Sequence, residues 1–343
     1  MRPLNLDVLA VPSLNVSISV AVKEGMIPRE FRGRKIEAHH ISIDQNRQKF
    51  RIYVGGKKPL RLDMHEGFMP NSAGSSYNVA IGLKKLGRTA GIMGAIGNDM
   101  FASQLSESLS DEHIPLMAID RGMGTPVTLS CIEENSDHAL TTLFNYKQAY
   151  DLPINKALQL LNGVQYRFVL ATGVRSSELE LLTRLFTLQP DNFLVPNEKV
   201  CESASDANVQ VLLKLTNIVQ VNFEEAQVFS NCTSGDLEEM ARTILAMGPK
   251  VVIITRDVKG VFVGRLGKSS TFKAYEQAAF PASVVDNDGA GDGFSVGFVY
   301  SLLSKLPISK CLEVGTWVAA RNIEKVGGYG GMPTYEEVAE ILK

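Results

Sequence analysis

The chain has few of the residues and spacings that mark several large protein classes. Its four cysteines, Cys131, Cys201, Cys232 and Cys311, form no CxxC pair and no Cys/His spacing. That argues against a structural zinc site or a disulfide framework and fits a reducing compartment. The five histidines, His39, His40, His65, His113 and His138, have no ligand spacing either. Neither charge sign is in excess: 35 Lys and Arg stand against 37 Asp and Glu, a formal net charge of -2. The chain therefore carries no electrostatic footprint for nucleic acid or an anionic membrane. No run of 18 apolar residues occurs, which excludes a transmembrane helix. The N-terminal tract Leu4 to Val22 is broken by Asp7, Pro12 and Asn15, and no small-residue cleavage site follows it. It reads as a buried first strand, Val8–Val11, rather than a signal peptide, so the expectation is a soluble, cytoplasmic protein. After that strand stand Pro12 and Ser13 instead of GxGxxG, which weakens a dinucleotide oxidoreductase reading. There is no internal repeat or low-complexity tract.

Apolar residues make up 45% of 343, enough for one large α/β domain or a core with a small appendage. Short apolar runs at Ile92–Ile96, Phe168–Thr172, Phe193–Val195, Ile218–Val221 and Val251–Thr255 predict strands. Helical spacing appears between them, at Ser75–Leu86, Phe101–Leu109, Ser176–Leu188 and Asp236–Met247. This alternation predicts a mainly parallel sheet with helices on both faces, and such sheets bind ligands beyond the carboxyl ends of their strands. Lys23 to Pro70 differs: alternating patterns such as Phe50-Arg51-Ile52-Tyr53-Val54, with the turn Gly55-Gly56, read as antiparallel strands with one wet face. Val127–Ile132 and Ala139–Phe144, joined by the polar turn Glu134–Asp137, form a second such patch. The expected organisation is a core of residues 1–22 and 71–343 with a small β lid, built from insertion 23–70 and helped by 127–146.

The most informative stretch is Asp286-Asn287-Asp288-Gly289-Ala290-Gly291-Asp292-Gly293-Phe294. Gly289, Ala290 and Gly291 are small enough to turn tightly, and Phe294, Phe298 and Leu302 fall on one helical face from Asp292 onward. A tight loop feeding a helix start collects unpaired N–H donors and the positive end of the dipole. With Asp292 on the rim, the arrangement suits phosphoryl transfer: an anion is held while a carboxylate accepts a hydroxyl proton. The same residues also read as a glycine-rich turn whose Asp caps a helix.

GAGD followed by G-F-x-x-G-F resembles the C-terminal signature of the PfkB, or ribokinase-like, carbohydrate kinases, a family with an α/β core and a small β lid. The resemblance implies that Asp292 is the catalytic base and that the N–H groups of Gly289, Ala290 and Gly291 form the anion hole. Asn287 and Asp288 stand where the family usually has Thr, Ser or Val.

Further segments resemble the family in the family's order. Ala73-Gly74-Ser75-Ser76-Tyr77-Asn78-Val79-Ala80 is similar to its first signature, implying sugar contacts from Gly74, Ser75 and Asn78; by itself it reads as helix initiation. Asn222-Phe223-Glu224-Glu225 resembles Asn-x-x-Glu, implying nucleotide phosphate near Asn222 and Mg²⁺ held through water by Asn222 and Glu225; by itself it reads as a helix N-cap with first-turn acids. Thr255 and Gly260 match the nucleotide-side Thr-x-Gly-x-x-Gly, with Asp257 in place of the middle Gly. Pro196-Asn197-Glu198-Lys199 resembles Asp-Pro-Asn-x-Arg, with Val195 and Lys199 as replacements, and puts Asn197 on the nucleotide side. The closing helix through Asn322 resembles the region bordering adenine. Asp286 is a candidate for holding a monovalent cation, K⁺, together with carbonyls there. Near strand one, Asn15 and Ser17 fall in the acceptor site, Ser17 where relatives place an Asp.

The expected protein is an ATP- and Mg²⁺-dependent phosphotransferase acting on a sugar, nucleoside or related polyol, with a homodimer contact through the lid. The alternative is a kinase-fold protein with weakened catalysis that serves as a binding or regulatory module, suggested by Ser17, Val195, Asp257 and Asp288.

Overall fold

A computed structural model describes residues 3–22, 35–37, 40–44, 49–53, 60–63, 71–122, 124–133, 142–146, 153–267 and 271–343. The turns expected at Gly55-Gly56 and Glu134–Asp137, and His39, His65 and His138, lie outside the described residues. In chain order the strands are β1 (Leu4–Pro12), β2 (Asn15–Val22), β3 (Lys35–Glu37), β4 (His40–Asp44), β5 (Lys49–Tyr53) and β6 (Leu60–Asp63). Then come β7 (Asn71–Ala73), β8 (Ala90–Ile96), β9 (Leu116–Asp120), β10 (Val127–Glu133), β11 (Thr142–Tyr146) and β12 (Val164–Val174). The last five are β13 (Asn192–Pro196), β14 (Ile218–Asn222), β15 (Val251–Thr255), β16 (Val261–Leu266) and β17 (Phe272–Gln277). The helices are α1 (Ser75–Lys85), α2 (Met100–Asp111), α3 (Ile154–Gln159), α4 (Leu179–Leu188), α5 (Glu198–Glu202) and α6 (Ala207–Leu215). They continue with α7 (Phe223–Ser230), α8 (Leu237–Ala246), α9 (Ala290–Leu303), α10 (Ile308–Asn322) and α11 (Tyr335–Ile341).

The main sheet has nine strands in the order β17-β16-β15-β14-β13-β12-β1-β8-β9. Seven of them, from β15 to β9, run parallel, and β16 and β17 close one edge antiparallel. Side chains alternate across a strand, and here both faces are apolar. Val8 and Ala10 of β1 enter one core with α1, α2, α9, α10 and α11, while Leu9 and Val11 enter the other with α4, α6, α7 and α8. The α/β fold expected from the alternating pattern is therefore present, with helices on both faces.

Two smaller sheets complete the molecule. One has the order β3-β11-β10-β2-β7, and the other is the antiparallel set β4-β5-β6. The expected pairing of the two patches after Val127 is realised as the antiparallel pair β10 and β11. Strand β2, which the sequence reading did not separate from the N-terminal tract, runs parallel to β10 and antiparallel to β7.

Strand order reverses direction at β1: the chain moves to β8 and β9 on one side, then returns to β12 on the other. Such a switch point opens a crevice at the carboxyl ends of the strands. Over it lies α9, buried from Gly293 to Ser301. Its close approach to α10 depends on glycine: a Cβ on Gly297 would stand 2.7 Å from the Val314 carbonyl oxygen. Strand β14, in turn, brings Gln220 beneath the first turn of α9.

Candidate active site

At the switch point β1 ends at Pro12 and is followed by Ser13, whose carbonyl accepts from the N–H of Ser76 at 3.0 Å. Ser76 Oγ lies 3.3 Å from Thr172 Oγ1 on β12, both buried. Gly173 follows with φ 61°, and a Cβ there would crowd Ser13 at 3.1 Å. Gly74, with φ 100° and ψ 146°, takes a backbone conformation open to glycine and starts α1. One turn on, Asn78 is 5% exposed. Its Nδ2 donates to Asp292 Oδ2 at 2.7 Å across 214 residues of sequence, while its Oδ1 has no hydrogen-bond partner among the described residues. Ser75 also hydrogen-bonds to the Asp292 carboxylate.

Asp292 is half-buried in the first turn of α9. Desolvation pushes its carboxyl up to about 7; the hydrogen bonds from Asn78 and Ser75 oppose the rise, and the neighbouring Asp288 charge adds to it. The helix starts at Ala290, two residues before the expected Asp292, with Gly289 at φ 74° as its N-cap and no side-chain cap. Gly289 is required twice over: an L side chain is strained at that φ, and a Cβ would run into the Gly328 backbone. Among the described residues, the N–H groups of Gly291 and Asp292 have no acceptor. They are the orphan donors of an uncapped helix start.

A second loop supports the first. Asp286 accepts from the N–H of Asp288 at 3.0 Å and from that of Gly327 at 2.8 Å. Asn322 is fully buried at the end of α10, and its Nδ2 donates to the carbonyls of Gly289 at 3.1 Å and Gly328 at 3.0 Å. Lys85 Nζ donates to the Met332 carbonyl at 3.2 Å, and Tyr77 packs on Tyr329 with ring centroids 5.2 Å apart, so α1 pins this loop as well.

The predicted nucleotide-side residues fall along the carboxyl edge of the main sheet. Asn222 and Thr255 are register partners at the ends of β14 and β15. Asn222 forms a reciprocal cap: its Oδ1 accepts from the Glu225 N–H at 2.7 Å, and Glu225 Oε2 accepts from the Asn222 N–H at 2.9 Å. Asn197 follows β13 and caps α5, accepting from the Val200 N–H at 3.0 Å. Gly260 has φ 81° and packs on the backbone of residues 277–279. Asp257 has φ 47°. The position calls for a left-handed residue, and Asp is one of the few non-glycines that tolerates it. Ser17 lies on β2 with Asn71 of β7 and Thr128 of β10 as its strand partners. The Asn15 side chain lies outside the described residues, and among those residues no three His, Cys, Asp or Glu side chains cluster as a metal site.

The sequence reading missed Gln220, 3% exposed on β14, whose Nε2 donates to the Gly291 carbonyl at 3.1 Å. The signal was present: Gln220 is the single polar residue inside the apolar run Ile218–Val221.

Comparison with known proteins matches residues 65–335 to the family described as pfkB family carbohydrate kinase. The chain belongs to this family. It is similar to a ribokinase from Haemophilus influenzae, 24% identical over 79% of this chain and 87% of the relative. It is 22% identical to a 5-dehydro-2-deoxygluconokinase from Clostridium botulinum, over 83% of this chain and 87% of that protein. The structure of Arabidopsis thaliana ribokinase complexed with ribose and ATP superposes with a TM-score of 0.71, at 16% identity, covering 100% of this chain and 99% of that one. The chain is thus a PfkB-family sugar kinase with the ribokinase fold. No helix among its described residues is long and apolar enough to cross a membrane.

Proposed function

We propose that this kinase transfers the γ-phosphoryl group of ATP to a hydroxyl of a sugar, nucleoside or related small polyol, with Asp292 as the base. The observation that carries the reading is the pairing of a carboxyl raised to about 7 with the unpaired N–H groups of Gly291 and Asp292 in one helix turn. A base poised near the operating pH takes a proton efficiently, and fixed N–H dipoles stabilise charge developing on the transferring group. Asn78 and Ser75 hold the carboxylate in place.

The residues fit the groups that the reaction needs. ATP supplies the phosphoryl group, and Mg²⁺ supplies charge neutralisation on phosphate oxygens. The uncapped start of α9 suits phosphate, with Asn197, Asn222, Thr255 and Gly260 along the nucleotide side. Asn222 and Glu225 each commit an oxygen to the cap, which fits contact with Mg²⁺ through water rather than direct ligation. Asp286 commits both oxygens to backbone N–H groups, so it would order the loop whose carbonyls hold K⁺. Gly74, Ser75, Asn78, Asn15 and Ser17 form the acceptor side. The insertion 23–70, helped by 127–146, acts as a lid over that side and as the homodimer contact.

The test is a panel of aldoses, ketoses, polyols and nucleosides incubated with ATP and Mg²⁺, with product detected by phosphorus NMR. A phosphomonoester formed from one acceptor class supports the reading. Formation of none, by folded protein that binds ATP, would leave a binding module instead.

A further inference from the structure

Burying a primary amide in the middle of a central strand is costly unless both of its ends are hydrogen-bonded. Gln220 meets that condition by spending both ends on one short stretch of chain. Its neighbours Val219 and Val221 enter one core, while Gln220 points to the opposite face, with Ile218, beneath α9. Nε2 donates to the Gly291 carbonyl at 3.1 Å. Oε1 is 2.9 Å from Ser295 Oγ, which itself lies 3.0 Å from the Gly291 carbonyl and is 1% exposed. The triangle assigns the amide: reversed, Oε1 would face the Gly291 carbonyl oxygen and repel it.

The Gly291 carbonyl and the Asp292 N–H belong to one peptide plane and point in opposite directions. A donor that holds the carbonyl toward the sheet therefore aims the Asp292 N–H away from it, toward the mouth of the loop. Two peptides earlier, Asn322 holds the Gly289 carbonyl at 3.1 Å, and the Ala290 N–H on the far side of that peptide donates to the Asn287 carbonyl at 3.4 Å. Gln220 of β14 and Ser295 of α9, both buried, thus brace the anion loop from behind.

We infer that Gln220, seconded by Ser295, is a positioning residue for phosphoryl transfer: it locks the Gly291–Asp292 peptide so that the Asp292 N–H is preorganised for charge on the transferring group. This rests on the anion-hole reading above. Preorganised dipoles matter most where charge develops, so the loss should fall on the transition state rather than on ground-state binding.

The experiment compares wild type with Gln220→Met, Ser295→Ala and Asp292→Asn. Calorimetry measures binding of ADP alone and of ADP with aluminium fluoride, a mimic of the transferring group. Kinetics measures kcat and acceptor KM. For Gln220→Met the expected results are ADP affinity within about twofold, fluoride-complex affinity weakened tenfold or more, and kcat lowered ~10–100-fold with KM nearly unchanged. Ser295→Ala, which leaves the amide donor in place, should show the same pattern more weakly and covers the case in which Gln220→Met does not fold. Folded variants with wild-type kcat and wild-type fluoride-complex affinity would overturn the proposal. So would losses of ADP and fluoride-complex affinity that are equal, since a merely structural role gives that result. If wild type transfers phosphate and Asp292→Asn does not, while both bracing variants behave as wild type, the inference fails and the anion-hole reading stands. If wild type itself transfers none, that reading has failed first.

Discussion

Replacing Asp292 with asparagine should trade catalysis for stability, and the trade should depend on pH. Burial raises the Asp292 carboxyl from 3.8 to about 7 in the folded protein. The native state therefore holds a proton that the unfolded chain has lost, and stability falls as pH rises from about 4 to about 7. Above 7 both states are ionised and the penalty is constant. Three units at ~1.4 kcal/mol each give about 4 kcal/mol, and partial exposure to the crevice reduces this to roughly 2–4 kcal/mol. Asparagine keeps an oxygen to accept from Asn78, and its amide can donate to the Ser75 hydroxyl, so the swap removes the charge with little loss of bonding. At pH 8 the variant should melt roughly 3–6 °C above wild type, from the entropy of unfolding scaled to this length. The gap should shrink to about 1 kcal/mol at pH 5, where the native carboxyl is protonated. Urea titrations of both proteins at pH 5, 6, 7 and 8 read it directly. A gap that stays flat with pH, or a variant less stable than wild type at pH 8, would refute the buried-carboxyl argument.

Other outcomes follow from the same geometry. The wild-type kcat/KM should fall tenfold per pH unit below about 7, as Asp292 takes up its proton; a profile flat from pH 5 to 8 would remove Asp292 as the base. Gly289→Ala forces an L residue to φ 74° and a Cβ into the Gly328 backbone, so it should cost several kcal/mol of local order and nearly all activity, read by kcat and by proteolysis of the loop. Ser17→Asp should improve kcat/KM for ribose or fructose by about one to two decades relative to a nucleoside, the worth of one charge-assisted hydrogen bond; strong ribose or fructose activity in wild type would show that another residue carries that contact. Deleting Lys35–Leu62 should raise acceptor KM or loosen a dimer while ATP binding survives, and unchanged acceptor turnover by the deletion would end its role as a lid.

Much of the fold was legible because parallel strands buried on both faces are apolar throughout. Val251–Thr255 was found residue for residue, and Ile218–Val221 lacked only its terminal Asn222. Strands β16 and β17 are not among the expected strands, since an antiparallel edge mixes Gly264, Arg265, Lys273 and Glu276 into the pattern. Strand β2 does show Val16, Ile18, Val20 and Val22 alternating with Ser17 and Ser19, yet it was absorbed into the tract before it. The start of α9 was placed two residues late because Ala290 and Gly291 lie before the apolar spacing begins. The anion loop was legible as a local pattern. The bond from Asn78 to Asp292, the fully buried Asn322 and the hold of Gln220 on Gly291 were not, because each joins residues brought together only by the sheet and the packing of α9.

The most direct test of the central claim is acceptor-dependent ADP release by wild type and by Asp292→Asn, with ATP affinity measured on the same samples. Wild type should turn over with at least one sugar or nucleoside, while the variant should be ~10²-fold slower or worse and bind ATP equally well. A folded Asp292→Asn protein that phosphorylates the acceptor at the wild-type rate would contradict it.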